Sequence, residues 1–510
     1  MRGGANLARP KVSKSIAEIN EKIRRGDAVV ATAEEMIEVV KNKGEVEAAK
    51  EVDVVTTGTF GAMCSSGAWL NFGHSDPPIK MQRVWLNDVE AYTGVAAVDA
   101  YIGAAQLSET RGFDYGGGHV IEDLIRGKEI ALRAIAYGTD CYPRRELETV
   151  ITKHEINQAV LCNPRNAHQR YEAATNSGNE TIYTYMGTLL PNYGNVTYSG
   201  SGCLSPLHND PNYETIGIGT RIFLGGTQGY IFWEGTQHAP TNAMGTLMTV
   251  GNLKEMDPRY IRGATVEKYG TTLYVGLGIP IPIINEAVAK TTGVSDEEIK
   301  TTVVDYGVPR RDRPVVREVT YSELKSGKVE IHGKEVPVSP LSSIKRAREI
   351  ANVLKRWIEE GRFYLTQPVS RLSTTQVFKP MKQISAVPFV RDIMTRKVTT
   401  ARPEDPIDVA ARIFAEKGFD HLPIVDARGK LVGIVTSWDI AVAVGKGKKK
   451  LSEVLTSKVI TARGDEPVDA VARKLEKHGI SGVPVVNSLG GLEGILTSED
   501  IAKLLGRRKK

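Results

Sequence analysis

Cysteine is scarce in this chain. Its 510 residues hold four, Cys64, Cys141, Cys162 and Cys203, and no two of them form a C-x-x-C pair. That excludes a disulfide scaffold and argues against a zinc or iron–sulfur site built by this chain alone. The expectation is four free thiols in a reducing compartment and no metal. Long apolar runs are missing as well. None approaches the roughly 20 residues of a membrane span, and the opening MRGGANLARPKVSKSI lacks the apolar centre of a signal peptide. Charge is close to balanced at +6. Much of the excess lies in GKGKKK (445–450) and GRRKK (506–510), which read as a solvated linker and a solvated end. No basic face with aromatic or motif support points to nucleic acid. These absences predict a cytoplasmic, globular chain with neither membrane nor nucleic acid as partner, long enough for about two to four domains.

What is present begins with a repeat. Residues 398–440 and 459–501 align without a gap at an offset of 61, and 19 of the 43 positions are identical. This is a duplicated unit. Each copy reads as a short strand, an amphipathic helix, an apolar strand (HLPIVD, GVPVVN), a glycine turn, a second strand and a final helix beginning at TSWDI or TSEDI. At that helix start Thr436 and Asp439, like Thr497 and Asp500, stand three residues apart. The spacing suits a capping box. It equally suits a helix start that holds a phosphate or polar group while the carboxylate takes a ribose diol. The repeated G-x-x-T-x-x-D over about 385–507 resembles the CBS domain, and the pair resembles a Bateman module. The resemblance implies an adenosyl ligand contacted by Thr436, Asp439, Thr497 and Asp500, and a homodimer formed through the pair.

The main body is expected over 1–361, with a linker at 362–389 and CBS copies at 390–445 and 446–510. SIAEINEKIRRG predicts a helix ended by Gly26. TAEEMIEVVKNKG predicts another, capped by Thr32 with Glu35 and ended by Gly44. PLSSIKRAREIANVLKRWIEEG predicts a third, capped by Ser342 or Ser343. EVDVVTTGTFGAMCSSG and EIALRAIAYGTDCYPRR each read as an apolar strand running into a loop, which puts Cys64 and Cys141 at strand ends, where open α/β sheets hold ligands. The stretch 183–238 is too rich in glycine for helix and predicts short strands and tight turns. The fold class is a mixed α/β main body with a glycine-rich β layer, followed by the CBS pair. YGGGH (115–119) and GGTQG (225–229) look like phosphate loops but fit neither G-x-G-x-x-G nor the P-loop.

In GTDCYPRR, a turn at Pro143 could bring Arg144 or Arg145 over Cys141 and favour its thiolate. The same arginines could clamp a substrate carboxylate. Asp140 opposes the thiolate only if it faces the sulfur. Cys64 sits among small residues in GAMCSSGAW, and buried inert thiol is the default for Cys162 and Cys203.

The segments TTGTFGAMCSSGAWLNFGHSDPPIKM, YGGGHVIEDLIRGKEIALRAIAYGTDCYPR and GGTQGYIFWEGTQH resemble the archaeal homocysteine-biosynthesis family over roughly 12–370. Its members are L-aspartate semialdehyde sulfurtransferases. The resemblance implies a persulfide at Cys141, a second functional thiol at Cys64, and no cofactor in the catalytic body. It also implies a small ferredoxin-like iron–sulfur partner, and S-adenosylmethionine or methylthioadenosine in the CBS pair. Arg144 and Arg145 are then candidates for the substrate carboxylate, and His119 and His238 for proton transfer at its carbonyl. If the two sulfurs approach, Cys64 could resolve the persulfide as a disulfide. Two other readings stay open: a dehydrogenase with a nucleophilic cysteine and a regulatory CBS pair, and a non-catalytic nucleotide sensor. Against the first, the pair follows the body rather than interrupting it, and no eightfold strand–helix alternation is visible.

Overall fold

The computed structural model describes residues 11–166, 171–309, 312–377, 379, 388–487 and 490–507. The stretch 380–387 of the expected linker and residues 508–510 of the basic tail lie outside the described residues. The chain forms two compact units, one from residues up to 308 with 313–379, the other from 309–312 with the residues from 380 onward. Among the described residues no helix is long and apolar enough to cross a membrane.

The first unit is mixed α/β. Its helices start where the sequence places caps. Ser15 and Glu18 close a capping box on Ile16–Arg25, which ends at Gly26 in the left-handed conformation. Thr32 and Glu35 cap the next helix, and Gly44 breaks it as expected, but the chain re-enters helix and runs to Glu51. Ser343 caps the Ile344–Glu359 helix, while Ser342 is buried and accepts from the Gly200 N–H instead.

The stretch EVDVVTTGTFGAMCSSG is two strands, not one. Val54–Thr56 pairs in a three-stranded sheet, and Thr59–Ala62 pairs antiparallel with the long Gly270–Gly278 strand of a nine-stranded sheet. The chain then turns through Cys64 into the Gly67–Asn71 strand of that same sheet, which lies antiparallel between Gln158–Asn166 and Asp99–Gly103. The Ile130–Ile135 strand that leads to Cys141 belongs to a separate six-stranded sheet and is antiparallel to both its neighbours.

The glycine-rich middle is a β layer of short strands, as the sequence predicts, and its glycines serve packing. GGTQG is a two-residue hairpin turn joining Arg221–Leu224 to Thr227–Glu234, with Gly225 and Gly226 at φ 60° and 94°. Positive φ at both positions is what this turn needs. In YGGGH, a Cβ on Gly117 would stand 1.9 Å from the Gly103 carbonyl oxygen and one on Gly118 2.2 Å from that of Thr272, so backbone lies directly on backbone.

In the second unit each repeat pairs two antiparallel strands, His421–Val425 with Leu431–Thr436 and Gly482–Val486 with Leu492–Thr497. Each has its own core, but the lead-in segments cross over. Val390 and Met394 complete the core of the second repeat, and Leu451 completes that of the first.

One buried ion pair anchors the start of the body. Asp53 is fully buried and accepts from Lys14 at 2.9 Å, Lys22 at 2.7 Å and the Val29 N–H at 3.1 Å. Burial opposes its charge, but these hydrogen bonds outweigh that and hold the carboxyl below its ordinary range. A lowered folded-state value means the stabilisation is present above the unfolded value of about 3.9 and is lost as pH falls below it. Asp53→Asn removes it, with an expected cost of about 3 kcal/mol in urea unfolding at pH 7 and a flattened acid limb.

Candidate active site

Cys64 occupies a pinned turn. Met63 donates its N–H to Leu273 at 2.8 Å, Ser66 closes the turn onto the Met63 carbonyl at 3.0 Å, and Ala104 donates to the Ser66 carbonyl at 2.8 Å. The half-buried thiol faces a cavity of about 330 Å³. The same cavity takes Arg313, three tyrosines (171, 185 and 269), Ser199, Gln237 and Thr272.

Two of these groups are left chemically open. The Thr272 side chain is 3% exposed and its Oγ1 finds no partner among the described residues. A buried hydroxyl in that state costs about 1–3 kcal/mol unless something bonds to it. Arg313 has no carboxylate partner among the described residues. Its Nη1 donates to Tyr185 Oη at 3.1 Å, and its guanidinium lies 4.4 Å from the Tyr306 ring centre. Tyr185 and Tyr306 are themselves joined at 2.8 Å. Burial works against the Arg313 cation, but the tyrosines outweigh it and raise its pKa. A fixed cation, a buried hydroxyl and a thiol in one cavity are suited to a small anionic electrophile.

Cys141 stands elsewhere and is exposed. Its loop is a tight turn in which Thr139 and Tyr142 exchange backbone hydrogen bonds at 2.9 and 3.1 Å, and the Tyr142 ring stacks on His74. Arg144 is spent as a strut: its Nε donates to the Pro77 carbonyl at 3.0 Å and its Nη2 to that of Asp76 at 2.5 Å. Arg145 lies over Gly138, where a Cβ would meet its Nε at 2.8 Å, and has no ion-pair partner among the described residues. Asp140 is exposed.

The structure does not bring the two thiols together. Cys64 precedes Gly67, and the 74–78 segment that holds the Cys141 loop follows Asn71. The thiols therefore sit at opposite ends of the Gly67–Asn71 strand, whose five residues span about 13 Å. A disulfide needs Cα atoms within about 7 Å, less than the length of that strand, and Cys141 is not among the described residues that line the Cys64 cavity.

The two histidines are also apart from Cys64. His238 is buried, its Nδ1 accepting from the Thr246 N–H at 3.1 Å and its Nε2 donating to the Ser373 carbonyl at 2.9 Å. Both ring nitrogens are committed to backbone, and its neighbour Gln237 is the residue that reaches the cavity. His119 Nδ1 accepts from the Gly116 N–H, and its ring stacks on Tyr115. Burial pushes its pKa down, and it lines a different cavity with Glu122, Asp123 and Lys128. Cys162 is half-buried, with its thiol pushed up by burial. Cys203 is buried and pushed to about 12, first by burial and then by Asp296. In the second unit, Asp439 Oδ2 accepts from the Thr436 N–H and hydroxyl at 2.8 and 2.7 Å, and Asp500 does the same with Thr497. Both pairs are closed capping boxes here.

Residues 28–365 match the profile of a family described as homocysteine biosynthesis enzyme, sulfur-incorporation. The chain belongs to this family. Residues 390–446 and 451–507 match the CBS domain. The L-aspartate semialdehyde sulfurtransferase of Methanosarcina acetivorans is 56% identical over 498 residues, covering 98% of this chain and 100% of that protein. The protein of the same name from Methanocaldococcus jannaschii is 56% identical over 513 residues, with the same coverage of both chains. A solved CBS domain pair in complex with 5′-methylthioadenosine and S-adenosyl-L-methionine is 50% identical, covers 24% of this chain and 100% of that one, and has a TM-score of 0.24.

Sequence reasoning missed Arg313, Thr272 and Gln237. Arg313 lies in the mixed-charge stretch PRRDRP, which gives no sign of a setting among aromatic rings, and Thr272 is one threonine in a β-rich stretch. Thiol accessibility follows the environments above. In a disulfide-exchange labelling time course at pH 8, Cys141 is expected to react first, Cys64 and Cys162 more slowly, and Cys203 only after unfolding, as read by peptide mass mapping.

Proposed function

We propose that this chain is an L-aspartate semialdehyde sulfurtransferase that takes up sulfur as a persulfide on Cys141 and forms homocysteine at the Cys64 cavity. The observation that carries the chemistry is the meeting in one cavity of Cys64, Arg313, which has no carboxylate partner among the described residues, and the Thr272 hydroxyl, which finds no hydrogen-bond partner among them. Family membership and two relatives of that name, each matched end to end, support the substrate. In this reading Arg313, rather than Arg144 or Arg145, takes the α-carboxylate. Thr272 donates to the aldehyde oxygen as sulfur adds to the carbon. The exposed Cys141 is placed for a donor to load it.

The electron count fixes what else is needed. Sulfide adds to the aldehyde and water leaves, giving a thioaldehyde. Two electrons and two protons convert this to the thiol. The outer sulfur of a persulfide is two electrons more oxidised than sulfide, so releasing it takes a second pair. Four electrons thus enter per homocysteine made from persulfide. With the thiols at opposite ends of a strand, we assign that role to an external reductant, a ferredoxin-like iron–sulfur partner. The CBS pair is read as a sensor of an adenosyl ligand, S-adenosylmethionine or methylthioadenosine, held by Thr436, Asp439, Thr497 and Asp500. It also serves as a homodimer surface that includes the 75%-exposed Trp438. The setting is cytoplasmic.

The test is homocysteine formation from aspartate semialdehyde and sulfide, with and without a reductant. Intact mass should show Cys141 one sulfur atom heavier after loading from a polysulfide, whose inner sulfur is already at the oxidation level of a persulfide's outer sulfur, and Cys141→Ser should abolish that adduct. Cys64→Ser should load normally yet make no product; full single-turnover product would remove Cys64 from the mechanism. Arg313→Ala should raise KM about ten- to hundredfold, the worth of a charged hydrogen bond, with Arg313→Lys in between.

A further inference from the structure

Next to the thiol cavity lies a second one of about 590 Å³. The two are successive compartments along one face of the sheet. On the Ile261–Val266 strand, Val266 lines the first and Ala264 and Arg262 the second. On Gly270–Gly278, Thr272 lines the first and Tyr274 the second. On Thr59–Ala62, Ala62 lines the first and Phe60 the second. Steps of two along a strand return side chains to the same face, and the strands are adjacent, with Arg262 opposite Tyr274 and Tyr274 opposite Ala62. The four residue steps from Val266 to Arg262 cover about 13 Å.

The chemistry of the second compartment differs from that of the first. Four guanidinium groups line it, Arg126, Arg259, Arg262 and Arg346, and among the described residues no carboxylate does. Three are braced from outside by carboxylates that do not line it: Arg126 by Glu122 at 2.8 Å, Arg259 by Asp257 at 2.6 Å and Arg346 by Glu349 at 2.5 Å. Such bracing fixes the direction of each fork. Arg262 has no carboxylate partner among the described residues. Phe60 and Tyr274 add a ring pair with centres 5.6 Å apart. Guanidinium forks match phosphate oxygens in pairs, and the volume is that of a small-molecule site.

We propose that this compartment binds a phosphate-bearing small molecule with a planar ring, its phosphates on the arginines and its ring against Phe60 and Tyr274. L-Aspartate semialdehyde has neither group, so this ligand is distinct from the sulfur acceptor and lies beside it in the same trough.

Calorimetric titration of the full chain with pyrophosphate, and separately with uridine diphosphate, tests this. Neither probe carries adenosine, which sets them apart from the ligand expected in the CBS pair. Each probe should bind at one site per chain, and affinity should fall at least about tenfold, the worth of one charged contact, in both Arg262→Gln and Arg346→Gln. It should be unchanged in Asp439→Asn, and uridine diphosphate should bind more tightly than pyrophosphate until Phe60→Leu removes the difference. Absence of binding, or binding that survives both arginine substitutions, overturns the proposal; equal affinity for the two probes overturns its ring half. The two arginines lie on different elements, so a folding defect in one variant, checked by circular dichroism, leaves the other to decide. Persulfide loading of Cys141, measured on the same variants, reports separately on the sulfur-transfer reading.

Discussion

The arrangement of the body depends on how closely one helix approaches the sheet. Ile344–Glu359 lies over strands paved with glycine, and a Cβ on Gly58 would sit 2.1 Å from the Ala347 carbonyl oxygen. At Gly276 and Gly278 it would press on Ile350 at 3.0 and 2.9 Å. Because no side chain intervenes, the helix rests on backbone, and its apolar face, Ile350, Leu354 and Ile358, is buried there. The Thr59–Ala62 strand is fixed beneath it, and so is the turn that carries Cys64. The first turn of the same helix brings Ser343 and Arg346 to the arginine compartment. A single packing contact therefore sets the spacing of both halves of the trough.

The second organising constraint is strand direction. In a parallel sheet, two loops that follow strands emerge on one edge, and their residues can meet. Here the strands around both thiols are antiparallel, and the Gly67–Asn71 strand carries one thiol turn before it and the Cys141 contact after it. One thiol is open to other molecules, and the other faces a cavity with a cation and a hydroxyl. The two positions suit loading and use as separate events.

Much of this was legible in the sequence. The repeat, the capping residues Thr32 and Thr436, the glycine-rich β layer and the placing of Cys64 and Cys141 in loops after strands all follow from local pattern. What was not legible depends on pairing between distant segments. The cavity joins residues near 62, 185, 199, 237, 272 and 313, which no spacing connects. Strand sense was not legible, because an apolar run looks alike in parallel and antiparallel sheets. The histidines attracted notice as residue types, yet His238 is committed to backbone on both sides and His119 to a helix start. Arg144 looked like a free cation and is a strut, because carbonyls sixty-odd residues earlier fold onto it.

The crossed lead-ins of the carboxyl-terminal unit bear on heredity as well as on structure. Val390 and Met394, ahead of the first repeat, finish the core of the second, and Leu451, ahead of the second, finishes that of the first. The two copies interlock like a clasp. A gene rearrangement that carried off one repeat with its own lead-in would leave both partners with an open core. The unit that such a lineage can duplicate, lose or lend to another enzyme is the pair.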